Sequence, residues 1–397
     1  MIYTPKRISL PKSGNFRRVP PRKPDDRQEN YIERFDFDTV FSDVFIQDGR
    51  VWMVAPPFLN LQMELEASKF VWNFKDVSNN IRFENLNRMS RASFPVEDEN
   101  GRLDIDSTLG RWTINVERVR TAELDGANVL VTQQQDNRLE WIAYWAFFNS
   151  QINGIDSVVI YDNCSSLYSA ETVDQILGKI PGIRNHIVVK WDTPYGAPGG
   201  PNSVWDSDYG QHISWEHARR TFLREAATAC IIDVDELPVS ISGDPVAQLV
   251  RESSGPVLPF KRQPIRQYRN RPLQDGELRV HRDFSLGETR GAWLAEKYAF
   301  SPSRLPDSSQ LLVHQVLGGD FERSADASVI AGHFDGIRVR WRKGEKHQAP
   351  VFSERSQIVE PVEENVNFER AFDSIDEEWT SLSKELEPFF RLQEDPS

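Results

Sequence analysis

Asp233-Val234-Asp235-Glu236 follows the short apolar run Ala229-Cys230-Ile231-Ile232 and precedes Leu237-Pro238. Two carboxylates at i and i+2 on a strand lie on the same side of it. If the strand stops there, both can reach one hard divalent cation. Mg²⁺ and Mn²⁺ take such oxygen ligands, with substrate phosphates completing the shell. The alternative is a pair of solvated acids at a strand exit. A second strand end, Tyr161-Asp162-Asn163-Cys164-Ser165-Ser166, carries an acid that can accept a hydrogen bond from a base or ribose, or make an ordinary Asx turn.

The elements around these acids decide between the alternatives. Asn128-Val129-Leu130-Val131-Thr132 reads as a strand, and Trp141, Trp145 and Phe148 form a helical stripe over 137–150. Asp156 to Tyr161 is the next strand, followed by a helix over about 169–179 that Pro181-Gly182 ends. Ile187 to Trp191 is a third strand. A polar loop then leads to a helix at about 211–226 and to the Cys230–Asp233 strand. This β-α-β-α-β-α-β alternation predicts a parallel sheet covered by helices. Ligands of such sheets gather at the C-terminal strand ends, where Asp162 and Asp233 fall.

The rest of the chain frames this domain. Residues 1–24 hold seven basic residues, five prolines and no acid, which predicts a tail without fixed structure within 1–30, or a weak contact with an anionic membrane surface or partner. Over 38–125, alternating runs such as Val44-Phe45-Ile46 and Val51-Trp52-Met53-Val54 flank the turn Gln47-Asp48-Gly49, predicting a small β-rich domain. Residues 256–345 look mixed and strand-rich. The last segment, 346–397, is acidic and carries a docking helix with Ile375, Trp379, Leu382, Leu386 and Phe389 on one face.

A chain of 397 residues is long for one core and suits two or three sub-domains. A net charge of −13 argues against nucleic-acid binding. Eleven Trp and 23 Phe suit either packed cores or sugar-binding clefts. Cys164 and Cys230 are too few for a disulfide framework and are expected reduced and buried. No apolar run is long enough for a transmembrane helix or a signal peptide, so a reducing cytoplasm is expected.

Glu140-Trp141-Ile142-x-Tyr144, Gly154-Ile155-Asp156, Tyr161-Asp162-Asn163-x-Ser165 and Asp233-x-Asp235-Glu236 occur in one order. The series resembles the family 92-type and related family 2-like glycosyltransferases of the GT-A fold. The resemblance spans roughly residues 128–340, where Gln211, Arg220, Lys297, His314 and His333-Phe334 look similar to later landmarks. It implies an α/β, GT-A-like mixed sheet over 126–345 and transfer of a sugar from a nucleoside-diphosphate donor, a UDP-sugar foremost, to a glycan, lipid-linked or small-molecule acceptor, with inversion.

By the same resemblance, Asp233 and Asp235 would hold Mn²⁺ or Mg²⁺ against the diphosphate, with His314 or His333 as a third ligand. Imidazole would tilt the preference toward Mn²⁺. Asp162 would contact the nucleoside, with Thr132 at the neighbouring strand end, and Lys297 a phosphate. Glu236 would orient the ligands or meet the acceptor. Asp283 and Glu288 are candidates for the base that an inverting transfer needs.

The chain also departs from the family pattern. Gln133-Gln134-Gln135-Asp136 stands where Lys-Asn-Glu is usual, Leu167 stands where an acid is usual, and Pro259-Phe260-Lys261-Arg262-Gln263-Pro264 replaces a tryptophan and Phe-Gly landmark. These changes favour a second reading, a catalytically inactive scaffold that binds glycans or nucleotides. A metal-dependent phosphotransferase or nuclease is a third.

Overall fold

The computed structural model describes residues 1–200, 204–268, 279–288, 294–319, 328–337, 339 and 362–393. Four parallel strands form the middle of a large mixed sheet: Asn185–Lys190, Ser157–Asp162, Asn128–Gln134 and Thr228–Ile231, adjacent in that order. They are the four strands expected from the β/α alternation. Their register sets Gln134 opposite Asp162, so both side chains emerge at the same C-terminal edge. Beyond Thr228–Ile231 the pairing turns antiparallel, through Leu294–Phe300, Val257–Ile265, Leu286–Glu288 and Val362–Glu364. A branch pairs Glu236–Ser240 with Val329–Phe334, which lies parallel to Val257–Ile265.

The helix Leu139–Asn153 is apolar around most of its circumference, and eleven consecutive residues from Leu139 to Asn149 are buried. A helix of that kind is stable only when covered on all sides. The sheet covers one side, and the C-terminal helix Val366–Phe390 covers another through Trp379, whose ring lies edge-on to Tyr144 at 4.8 Å. Gly154 ends the inner helix in a left-handed conformation at φ 68°, which glycine adopts without a Cβ penalty. The C-terminal helix buries Phe368, Phe372, Ile375, Trp379, Leu382, Leu386 and Phe390, while the expected Phe389 is partly buried and packs against the same core. The expected boundary at 345/346 lies outside the described residues.

Two four-stranded antiparallel sheets share a core ahead of this domain. One joins Asp43–Gln47, Arg50–Ala55, Met89–Pro95 and Arg82–Leu86; the other joins Gly110–Glu117, Asn100–Ser107, Lys69–Trp72 and Lys75–Asp76. The first hairpin turns at Asp48-Gly49, both at positive φ, the geometry that matches strand twist in a two-residue loop. This sandwich is tied to the large sheet by a buried chain. His217 bonds Asp43 at 2.8 Å through one ring nitrogen and Tyr161 at 2.7 Å through the other. Tyr3 donates to the same Asp43 carboxylate at 2.7 Å.

The basic N-terminal segment differs from expectation. Ile2–Tyr3 adds a parallel strand beside Asn185–Lys190. Arg18 is buried, donating to the carbonyls of Pro57, Asp36 and Thr39, and Arg22 is buried against Asp206 and the carbonyls of Pro198 and Val204. Guanidinium donors that find backbone acceptors far along the chain fix a segment whose composition reads as solvated. These two arginines are thus turned away from any membrane surface. Among the described residues no helix is long and apolar enough to cross a membrane. Five of the eleven tryptophans are fully buried core residues, while Trp205 is half exposed.

Replacing Arg18 with Met removes three carbonyl partners and leaves buried Asp36 without its cation. The expected result is a loss of about 3 kcal/mol, measured as a lower urea midpoint.

Candidate functional site

The acidic residues do not continue the strand. Thr228–Ile231 stops short of them, and Asp233–Glu236 forms a turn into the next strand, closed by Glu236 N–H donating to the Asp233 carbonyl at 3.0 Å. Both aspartates therefore sit in a turn and not on a strand, so strand periodicity does not set where their side chains point. Asp233 meets Lys297 at 3.1 Å and accepts from Gln211 Nε2 at 3.2 Å. Asp235 faces His333, with Nε2 3.5 Å from Oδ2.

Glu236 anchors the turn. It is fully buried, with Oε1 2.6 Å from Arg262 and Oε2 3.4 Å from Lys297 and 3.0 Å from the Asp233 N–H. Burial pushes its carboxyl up, but Lys297 and Arg262 outweigh that and hold it below the usual carboxylate value. Lys297, expected as a phosphate contact, instead has no exposed surface and lies between two acids of the turn. Glu236 is likewise too enclosed to meet an acceptor.

Asp235, Glu236 and His333 each offer one ligand atom, and those atoms lie within 4.8 Å of one another. The strand register creates this group by pairing Glu236 with His333 directly. Two carboxylates and an imidazole fit Mn²⁺ better than Mg²⁺. Behind His333, Asp335 approaches Nδ1 at 3.8 Å and is itself held by Arg266 at 3.0 Å. At 3.8 Å no hydrogen bond forms with Asp335, and His333 Nδ1 has no hydrogen-bond partner among the described residues. His281 completes the surroundings. It is fully buried, with its pKa pushed down to about 3 by burial, and Nε2 donates to the Val234 carbonyl at 2.8 Å.

Asp162 lies on the same edge of the sheet. It accepts from Gln134 Nε2 and from the Ser165 hydroxyl, and burial pushes its carboxyl up to about 6. The unusual Gln133–Asp136 stretch supplies its neighbours, for Asp136 accepts from the N–H groups of Ser166 and Leu167 at 2.6 and 3.1 Å. Thr132 lies two residues inside its strand, fully buried, and not at the strand end. Gln134 occupies that end.

The other expected residues are not gathered here. His314 is exposed and donates through Nδ1 to the Glu296 carbonyl, outside the three-residue ligand group. Asp283 caps its own short turn by accepting from Val280 N–H at 2.8 Å. Glu288 pairs with Arg266 at 2.7 Å. Cys164 is exposed at a positive φ and not buried, while Cys230 is buried as expected. Arg262, His281 and Asp335 escape sequence reasoning. The adjacent landmark His333-Phe334 is the one signal that points near Asp335.

No family model and no curated protein matches the chain. Among solved structures, S. aureus TarS 1–349 is similar at a TM-score of 0.26 and 12% identity. The match covers 45% of this chain and 47% of that one, so this chain spans about half the length of that structure. A likeness so slight carries no weight for fold or function.

Lys297→Met strands Asp233 and buried Glu236 beside one fewer cation. Unfolding in urea is expected to show a loss of about 3–5 kcal/mol, part of it recovered when Glu236→Gln is added. Asp162 gives a pH signature of the opposite kind. Its raised pKa means that the folded chain holds a proton between about pH 4 and 6 that the unfolded chain has released, so stability falls as pH rises through that window. The stability advantage of Asp162→Asn over wild type is expected to shrink by about 2.4 kcal/mol between pH 7.5 and pH 4. Parallel denaturation at the two pH values measures it.

Proposed function

We propose that this chain is a metal-dependent glycosyltransferase with a GT-A-like domain, taking a sugar from a nucleoside-diphosphate donor to a hydroxylated acceptor. One observation carries the reading: Asp235, Glu236 and His333 bring three ligand atoms together where a parallel strand ends, on the sheet edge that also bears Asp162. Asp235 and His333 would hold the cation, with Glu236 as the inner member, clamped by Arg262 and Lys297. When bound, the cation would neutralise the charge that builds on the departing diphosphate. Asp233 serves the site indirectly, by holding Lys297 beneath the turn. Asp162, with Gln134 and Ser165, offers polar groups to a nucleoside. The engagement of Asp233 by Lys297 and Gln211 is the observation that favours the second reading, an inactive nucleotide- or glycan-binding scaffold.

Thermal shift with UDP, GDP, CDP and ADP, each with and without Mn²⁺, tests the proposal. One nucleotide is expected to stabilise the protein only with metal, by about 2.7 kcal/mol at a hundredfold excess over Kd. Asp235→Ala and His333→Ala should each abolish that shift. Metal-independent stabilisation without donor hydrolysis would establish a nucleotide-binding scaffold, and no response to any nucleotide would sink the transferase and leave glycan binding as the scaffold's only form.

A further inference from the structure

The backbone of the acidic turn is held from several sides. Asp233 N–H donates to Glu236 Oε2, the Asp233 carbonyl accepts from Glu236 N–H, and the Asp235 carbonyl accepts from Phe334 N–H at 2.8 Å. The Val234 carbonyl, between the two aspartates, is held by a side chain from another part of the fold, His281 Nε2 at 2.8 Å. A carbonyl can only accept, so Nε2 carries the hydrogen.

The pocket around His281 is otherwise aromatic. Its ring stacks on Tyr144 with centroids 5.5 Å apart at 16°, and meets Phe334 edge-on at 5.1 Å. Nδ1 has no hydrogen-bond partner among the described residues. A phenylalanine would fill such a space at lower desolvation cost. What imidazole adds is the bond to Val234.

We propose that His281 is a positioning residue for the cation site, an inference that rests on the metal-dependent reading above. Its Nε2–H fixes the Val234–Asp235 peptide plane, and that plane sets where the Asp235 carboxylate stands relative to His333. With the donor gone, the plane can rotate. Asp235 then leaves the narrow range of positions in which a metal ligand is useful. Tyr144 stacks on the imidazole and is itself met edge-on by Trp379, so the long C-terminal helix backs the site through Tyr144.

The test uses the full chain and Mn²⁺ alone, with affinity read by electron paramagnetic resonance and folding by Tm in chelator. His281→Met and His281→Gln have similar shape, but only Gln keeps an N–H donor. Met is expected to weaken Mn²⁺ binding about tenfold or more, with Gln closer to wild type, while their metal-free Tm values remain alike. His281→Phe, which retains the ring packing, should behave as Met. A folded Met or Phe variant with wild-type affinity overturns the proposal. Wild type that binds no Mn²⁺ is a separate outcome, visible before any variant is made, and removes the underlying reading together with this one. If neither Met nor Phe folds, nitrogen-15 NMR of the wild type decides: an Nε2–H tautomer is expected, and an Nδ1–H tautomer overturns the proposal.

Discussion

A lysine ammonium with no exposed surface is tolerated only where its charge is matched at short range. Lys297 meets that condition between Asp233 and Glu236, with Arg262 completing a cluster of two acids and two bases. The cluster requires the antiparallel half of the sheet to lie in one register against the parallel half. Ile231 pairs with Tyr298, and Lys297 in turn pairs with Phe260 on the next strand, two residues before Arg262. A shift of one residue would turn Lys297 to the other face of the sheet and leave Glu236 buried without it. The acidic turn, the register of three strands and the location of His333 therefore follow from one buried balance of charge.

Packing around that balance is unyielding. The inner helix is enclosed by the sheet and the C-terminal helix, and its Tyr144 reaches the histidine that holds the turn. On the opposite face, the Asp43–His217–Tyr161 chain joins the sandwich to the sheet through fully buried polar atoms. Opening that contact would expose Asp43 and His217 at the cost of two buried bonds. The sandwich and the sheet thus form a stiff frame behind the candidate site.

The parallel strands are legible in sequence because each is a short apolar run between helical stripes, a pattern set by burial on both faces. The spacing of Asp233 and Asp235 misleads, since it assumes a strand that in fact ends at Ile231. His314 and His333 look alike in sequence, each after an apolar run. Pairing of Glu236 with His333 separates them, and pairing is a long-range property. The N-terminal segment misleads for a related reason: seven bases without an acid read as solvated, yet Arg18 and Arg22 find carbonyl acceptors that composition does not reveal. His281 leaves no signature because its partner is a main-chain oxygen.

Ile2–Tyr3 has a consequence for how copies of this chain meet. It covers part of the open edge of Asn185–Lys190, a strand otherwise able to recruit a strand from another molecule. Among the described residues, the far end of the sheet finishes in the short strand Val362–Glu364, where Glu363 and Glu364 are exposed. A two-residue cover at one edge and paired negative charges at the other make edge-to-edge polymerisation unfavourable.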